Sequence, residues 1–366
     1  MKADRLHRQK KKERLKGLRA SDFMKGRRVE SFEGPENWGF QDTWPIADLY
    51  RENPGSQIKS FDETAQTLSN HRDILGWCIG ILAASPAARL MIKEAASEEW
   101  SIGIADLGGH DFHLDVPEKQ IILDDSGLMC TALGRSSYFL NMLRVSMIRA
   151  LRDVWQEKRH GGFDEHYGPE EILMLERVRA ADCDVMAVLI SWELRGEGYS
   201  ELWRHMIGSD EGDMAMAFSN RLERDPSSQF TGAALGAAFK QWYRDIHRAN
   251  GCDHETLEYL DDVIRNNAAN NGGSQPFGNK KLTRIGIEVL SCLPDKTAYL
   301  RGMGDEIISD PLYAGLHDEI NQSHFLQVMS DMKATYVQGI PFRDASLASK
   351  IFPGGEFTPQ EKVLKN

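Results

Sequence analysis

Two stretches of this sequence hold residue types that could do chemistry. The first is GHDFHLD, where His110, His113 and Asp115 stand within six positions, with Asp124 and Asp125 a little further on. The second is a long run rich in acids that contains Glu176, Asp182 and Asp184. Imidazoles and carboxylates are zinc ligands, and carboxylates also suit harder divalent ions. A site drawn from His110, His113, Glu176 and Asp182 is one expectation for a metal centre, although their spacing is not a known ligand pattern. Between the two stretches lies LNMLRVSMIRALRDVWQEKR, in which Arg149 and Asp153 stand four apart. On a helix that spacing puts both on one face, and an ion pair between them is expected.

Other chemistry is not supported. No GxSxG is present, and no cysteine has a signature that sets it beside a histidine. The glycines of GAALGAA and GMG make no phosphate loop, because no GKS/T or strand-GxGxxG-helix pattern accompanies them. The five cysteines (Cys78, Cys130, Cys183, Cys252, Cys292) form no CxxC pair, which fits a reducing cytoplasm and small buried thiols.

The elements that must position these residues are mostly helices. The apolar run Ile74 to Ala84 is too short to span a bilayer, and it sits in an expected buried helix from about Glu63. Ser85 and Pro86 are suited to cap and open a second helix, to about Glu99. From Ile102 to Asp124 the alternation of Phe112, Leu114 and Val116 with His113 and Asp115 predicts two or three antiparallel strands. Ser136 is a plausible cap for the next helix, where Leu140, Leu143, Met147, Leu151 and Trp155 share a face. Gly161 and Gly162 end it, and Pro169-Glu170-Glu171 opens another, which Gly196 stops. Helices are then expected over 231–250 and 253–267, separated at Gly251, followed by a polar loop at 270–279 and shorter helices to about Thr335. Residues 31–60, with Trp38 and Trp44, and the last thirty read as irregular.

The run ALRDVWQ, followed some twenty residues later by ERVRAADCDVMAVLISWELRGEG, resembles a bacterial family of predicted metallopeptidases of the His-Glu-x-x-His, zincin-like type. The frame residues are Leu151, Arg152, Trp155 and Gln156, then Arg177, Ala181 and Asp182, then Trp192, Glu193, Leu194 and Arg195. The resemblance covers about residues 100–200. It implies a zinc site whose two histidines stand at i and i+4, with a glutamate base between them. In this chain Arg149 stands for the first histidine, Ala150 for the base, Asp153 for the second histidine and Ala180 for the third ligand. The resemblance therefore implies a family member without metal or activity. No cofactor is expected; zinc belongs to the alternative of an active hydrolase with relocated ligands. Arg152, Trp155, Gln156 and Asp182 would support the old site. Asp182 would orient a ligand or, more plainly, accept a buried hydrogen bond from a residue such as Arg152 or Arg179.

The chain has 366 residues, 41% hydrophobic and 27% charged, with a net charge of −11, the composition of a globular protein. Residues 1–30 carry twelve Lys/Arg against four acids, a basic arm of charge +8 with no secretory signal behind it. Through Lys10, Lys11, Lys12 and Arg14 such an arm could touch nucleic acid or an acidic partner, a non-enzymatic adaptor being the third reading; a solvated tail is the plainer one. The expected architecture is mainly α with a small antiparallel β-sheet (α+β) around a zincin-like core. Its expected parts are the arm (1–30), a metallopeptidase-like domain (31–210) and a helical C-terminal region (211–366). A cytoplasmic protein that binds a peptide or protein partner, with no membrane span, completes the expectation.

Overall fold

The computed structural model describes residues 42–53, 68–163, 166–271, 276–332, 335–337 and 340–342. The basic arm with Lys10, Lys11, Lys12 and Arg14, the segment around Trp38, the expected helix start at Glu63 and the end of the chain lie outside the described residues. The fold is mainly helical with one small mixed sheet. None of its helices is long and apolar enough to cross a membrane among the described residues.

The sheet has the order β1-β2-β4-β3, formed by Trp44–Pro45, Ser101–Ala105, Gln120–Asp124 and Phe112–Asp115. The expected antiparallel hairpin is there, with His113 opposite Ile122. The all-antiparallel expectation fails at β2, which pairs parallel to β4, with Gly103 opposite Ile122. The reason is the turn after β2. Gly108 and Gly109 take positive φ, and the chain comes back as β3 on the far side of β4. Strand alternation cannot report which side of a hairpin a third strand joins. Residues 44–52 are also regular rather than irregular. Ile46 and Leu49 are fully buried, and they hold a short helix, α1 (Ile46–Glu52), at the sheet's first strand.

The apolar run is a buried helix as its composition demands. Every residue from Ile74 to Leu82 is buried in α2 (His71–Leu82), which Asn70 caps through Asp73 N at 2.9 Å. Ser85 caps α3 (Pro86–Ser97). Two long helices then dominate. In α5 (Ser137–His160), which follows the single turn α4 (Cys130–Leu133), the predicted face of Leu140, Leu143, Met147, Leu151 and Trp155 is buried. In α6 (Pro169–Gly196) apolar residues surround a string of buried charges. Next come α7 (Ser200–Gly208), α8 (Gly212–Arg224), α9 (Ser228–Thr231), α10 (Ala233–Arg244) and α11 (Ile246–Asn271). The expected break at Gly251 does not occur. Gly251 faces open space within α11, where a glycine costs only about 1 kcal/mol. The break falls at Asp245, whose carboxylate accepts His247 N at 3.0 Å. Beyond it lie α12 (Arg284–Leu290), α13 (Gly304–Ser309), α14 (Pro311–Ala314) and α15 (Glu319–Asp331), then the hairpin Thr335–Val337 and Ile340–Phe342.

The chain divides into two compact units. The first takes the described parts of 37–155 and 183–242: the sheet, α1 to α4, most of α5, the second half of α6, and α7 to α10 up to Trp242. Its interior includes a train of edge-to-face rings, Trp203 and Phe218 against Trp192 at 5.1 and 5.7 Å. The second takes the described parts of 156–182 and 243–366. There Tyr243 meets Tyr313 edge-on at 4.8 Å, and Arg177 pairs with Asp253 while donating to the carbonyls of Tyr313 and Gly315 at 2.6 and 2.9 Å.

Candidate functional site

Arg149 lies at the centre of the first unit's chemistry. It projects from the middle of α5, with only a tenth of its side chain exposed. Each nitrogen of its guanidinium donates to a different carboxylate. Nε reaches Asp184 Oδ1 at 2.7 Å, Nη1 reaches Asp111 Oδ2 at 2.6 Å, and Nη2 bonds Glu211 Oε1. The three acids come from three places. Asp111 closes the glycine turn between β2 and β3. Asp184 lies in the second half of α6. Glu211 caps the start of α8, where the helix dipole favours a carboxylate.

The surroundings fix these acids in turn. Asp111 is held because its own carbonyl accepts Asp124 N at 3.1 Å, while Asp124 Oδ1 accepts Leu107 N at 2.8 Å across the same turn. Asp184 Oδ2 accepts the indole N–H of Trp242 at 2.8 Å, and Glu211 Oε2 accepts Ser209 Oγ at 2.6 Å. Glu211 depends on its neighbour as well. A Cβ at Gly212 would stand 2.4 Å from the Ile207 carbonyl oxygen, so only glycine allows this approach of chain to chain.

One guanidinium against three carboxylates leaves the cluster net negative, and the titrations follow from that. Burial disfavours the charged form of Arg149, but Asp184, Glu211 and Asp111 outweigh it and hold the guanidinium well above its usual range. Burial pushes the Asp111 carboxyl up to about 6, with Arg149 pulling it down and Glu211 and Asp184 pushing it up again. Burial also raises Glu211, but Arg149 and the Ser209 hydroxyl prevail, and it ends below the ordinary glutamate value. Asp111 thus takes up a proton before Glu211 does.

Zinc does not fit this donor set. A metal needs lone pairs from imidazole, thiolate or carboxylate. Arg149 has none to give, and its fixed charge opposes a cation. Asp184 and Glu211 already accept with both oxygens. Ala150 offers only a fully buried methyl group. Asp153 is buried as well, and the expected Arg149–Asp153 ion pair is not formed. All three guanidinium nitrogens are taken by acids distant in sequence, which satisfy them in a geometry that a neighbour one turn along cannot offer.

The other expected positions fall elsewhere. Arg152 is fully buried and Trp155 nearly so. In the second unit Asp182 is a buried acceptor, taking Gln156 Nε2 on one oxygen and the Tyr299 hydroxyl on the other at 2.7 Å. The buried-acceptor role suggested by the sequence is the one Asp182 fills, with Gln156 and Tyr299 among its donors. Glu176 and Ala180 are half-buried on α6. His113 lies on β3, where burial lowers its pKa, and His110 lies in the turn before it. Among the described residues, the metal-ligating side chains close enough to share an ion are Asp106, Asp124 and Asp125. That trio contains none of His110, His113, Glu176 and Asp182.

The sequence reading missed Asp111 and Glu211; it named Asp184 among the acids of the second stretch but not among the four expected ligands. Asp184 carried a signal, since it stands one helical turn beyond Ala180, the expected third-ligand position. Asp111 and Glu211 carried none, because the glycine turn and the α7–α8 connection that deliver them have no periodicity to read. No curated protein and no solved structure matches the chain. A family model does match part of the chain: residues 135–273, which take in α5, α6 and the helices that bring Glu211 and Trp242 to the cluster, are similar to the family described as "Putative metallopeptidase family (DUF6782)".

Proposed function

We propose that the protein is a catalytically silent member of this metallopeptidase family, in which the Arg149 guanidinium stands where relatives hold a metal ion. The observation that carries this reading is the trio of carboxylates, Asp111, Asp184 and Glu211, closed around Arg149 at the first ligand position of the degenerate motif. A permanent cation supplies the positive charge that such acids need, without a Lewis-acid site or a bound water to activate. Ala150, at the position of the base, can move no proton. No cofactor is required. The retained task is binding. β3 ends the strand order, so among the described residues its outer edge offers backbone donors and acceptors to an extended peptide from a protein partner.

The test converts the cluster back. Arg149→His with Asp153→His leaves Asp184 and Glu211 as carboxylate donors beside two imidazoles at i and i+4. Ala150 is left alone, because a larger residue there would overpack a fully buried position. The double variant is expected to bind zinc at close to one ion per chain, and the wild type not to. A folded double variant with no more zinc affinity than wild type overturns the reading.

A further inference from the structure

Among the described residues, three buried arginines of α5 and α6 pair with carboxylates. Arg149 has three carboxylates, Arg177 has Asp253, and Arg179 has Glu157 at 3.2 Å. Arg144 breaks the pattern. It lies on α5, 1% exposed, with its guanidinium over the Trp77 ring at 4.6 Å. Its Nε and Nη2 have no hydrogen-bond partner, and no carboxylate pairs with it among the described residues. Those two nitrogens form the side-on fork that receives a carboxylate or phosphate with two parallel bonds. One turn earlier on the same face, Asn141 is 6% exposed, and its Oδ1 accepts nothing.

The neighbours do not supply the missing charge. The Cys78 thiol lies beside Arg144, but burial pushes it up to about 11, with the arginine pulling the other way, so it is neutral at pH 7. Glu201 acts on Arg144 through space only, and it is exposed. An unpaired buried cation is among the costlier features a fold can carry. An unfilled acceptor beside an unfilled two-nitrogen fork describes a complementary ligand: an anion to the fork and an N–H or O–H to the amide oxygen.

We propose that Arg144 and Asn141 form a buried binding site for a carboxylate that carries a hydrogen-bond donor on its α position, the chemistry shared by a peptide C-terminus, an α-amino acid and an α-hydroxy acid. The Nε–Nη2 edge of Arg144 takes the two carboxylate oxygens, Trp77 covers the face of the guanidinium, and Asn141 Oδ1 accepts the donor. Phosphate fits less well, because its dianion brings a second buried charge that one guanidinium does not neutralise. The Tyr138 ring, more than half exposed and edge-on to His205 at 5.2 Å, marks the surface between α5 and α7 through which a ligand would enter. The site uses none of the Arg149 cluster, and it stands or falls independently of the silent-enzyme reading.

The test is thermal unfolding of the full chain with N-acetylglycine, N-acetylglycinamide, glycolate, acetate and inorganic phosphate, each at matched ionic strength. N-acetylglycine at about ten times its Kd is expected to raise Tm by roughly 2–4 °C, acetate and phosphate by less, and the uncharged amide not at all. Arg144→Met is expected to lose the response and, relieved of an uncompensated charge, to melt no lower than wild type without ligand. Arg144→Lys keeps the charge without the fork and is expected to lose most of the response, which covers the case of an unstable methionine variant. Asn141→Leu is expected to respond to acetate and N-acetylglycine alike. N-acetyl-trialanine separates the sources. A shift with it, absent for its C-terminal amide, assigns a peptide end; a shift confined to glycolate and N-acetylglycine assigns a small free acid. No response to any carboxylate, a larger response to phosphate, or a response that survives in both Arg144 variants would overturn the proposal.

Discussion

Replacing Arg149 with methionine removes the cation and leaves three carboxylates facing one another. Their side chains are 13%, 8% and 8% exposed, so water cannot take over the neutralisation. Breaking a buried ion pair by deleting one partner costs about 3–5 kcal/mol. Three orphaned acids put this variant at the upper end of that range at pH 7.5. The acids can escape only by protonation, and Asp111 already titrates at about 6 with the guanidinium present. Without it, the Asp111 value rises further above its unfolded one, and Glu211 loses the pull that holds it below its ordinary value. A carboxylate with a raised folded value binds more protons folded than unfolded across the window between the two. Stability therefore falls as pH rises through that window and returns as pH drops, by about 1.4 kcal/mol per pH unit for each extra proton held. Urea denaturation followed by circular dichroism from pH 5 to 8 reads this directly. The expected result is a gap between wild type and Arg149→Met that is widest at pH 8 and narrows toward pH 5. Millimolar Ca2+ or Mn2+ should restore part of the lost stability in the variant only, since the acids then have lone pairs free for a hard cation. A gap under about 1 kcal/mol at pH 7.5, or one independent of pH, would refute the idea of a charge-compensated cluster.

Three further outcomes follow from neighbouring contacts. Asp111→Asn keeps the shape but not the proton; because the wild-type carboxyl is raised to about 6, wild type should lose stability relative to this variant as pH rises from 4 to 7, and a parallel pair of pH–stability curves would contradict the assignment. Gly212→Ala puts a Cβ against the Ile207 carbonyl and should cost on the order of 1–3 kcal/mol by displacing Glu211, measured by the same denaturation; an unchanged midpoint would mean that the approach is looser than described. Tyr299→Phe removes a hydroxyl donor from buried Asp182 and should cost about 1.5–3 kcal/mol, whereas a cost near zero would remove Asp182 from the list of structural anchors.

Much of the scaffold was legible because its signals are local. The Ile74 to Ala84 run announces a buried helix by its composition, although the helix starts at His71 and its Asn70 cap was not read; the Ser136 to His160 helix announces itself by a cap and a 3.6-residue stripe, and the β3–β4 hairpin by alternation. What failed was non-local. Nothing in Ser101 to Ala105 says that it will lie parallel to β4 rather than antiparallel to it. The site was half legible. The frame of the α5 and α6 motifs drew attention to Arg149, but the pairing partner inferred from helix spacing was Asp153. The true partners stand 38, 35 and 62 residues away, on a glycine turn, a later helix and a helix cap. A guanidinium with three donor nitrogens selects partners by geometry in the folded chain, which sequence spacing along one helix does not encode.

The most direct test of the central claim is elemental analysis for zinc, iron, manganese, nickel and cobalt on the untagged full chain, purified without chelator and again after incubation with excess zinc and dialysis. The account predicts that the Arg149 cluster leaves no room for an ion, so both samples should hold far less than one metal per chain. A value close to one per chain that survives dialysis, and that is lost when Asp184 or Glu211 is replaced, would mean that these acids hold a metal after all and that Arg149 does not stand in its place.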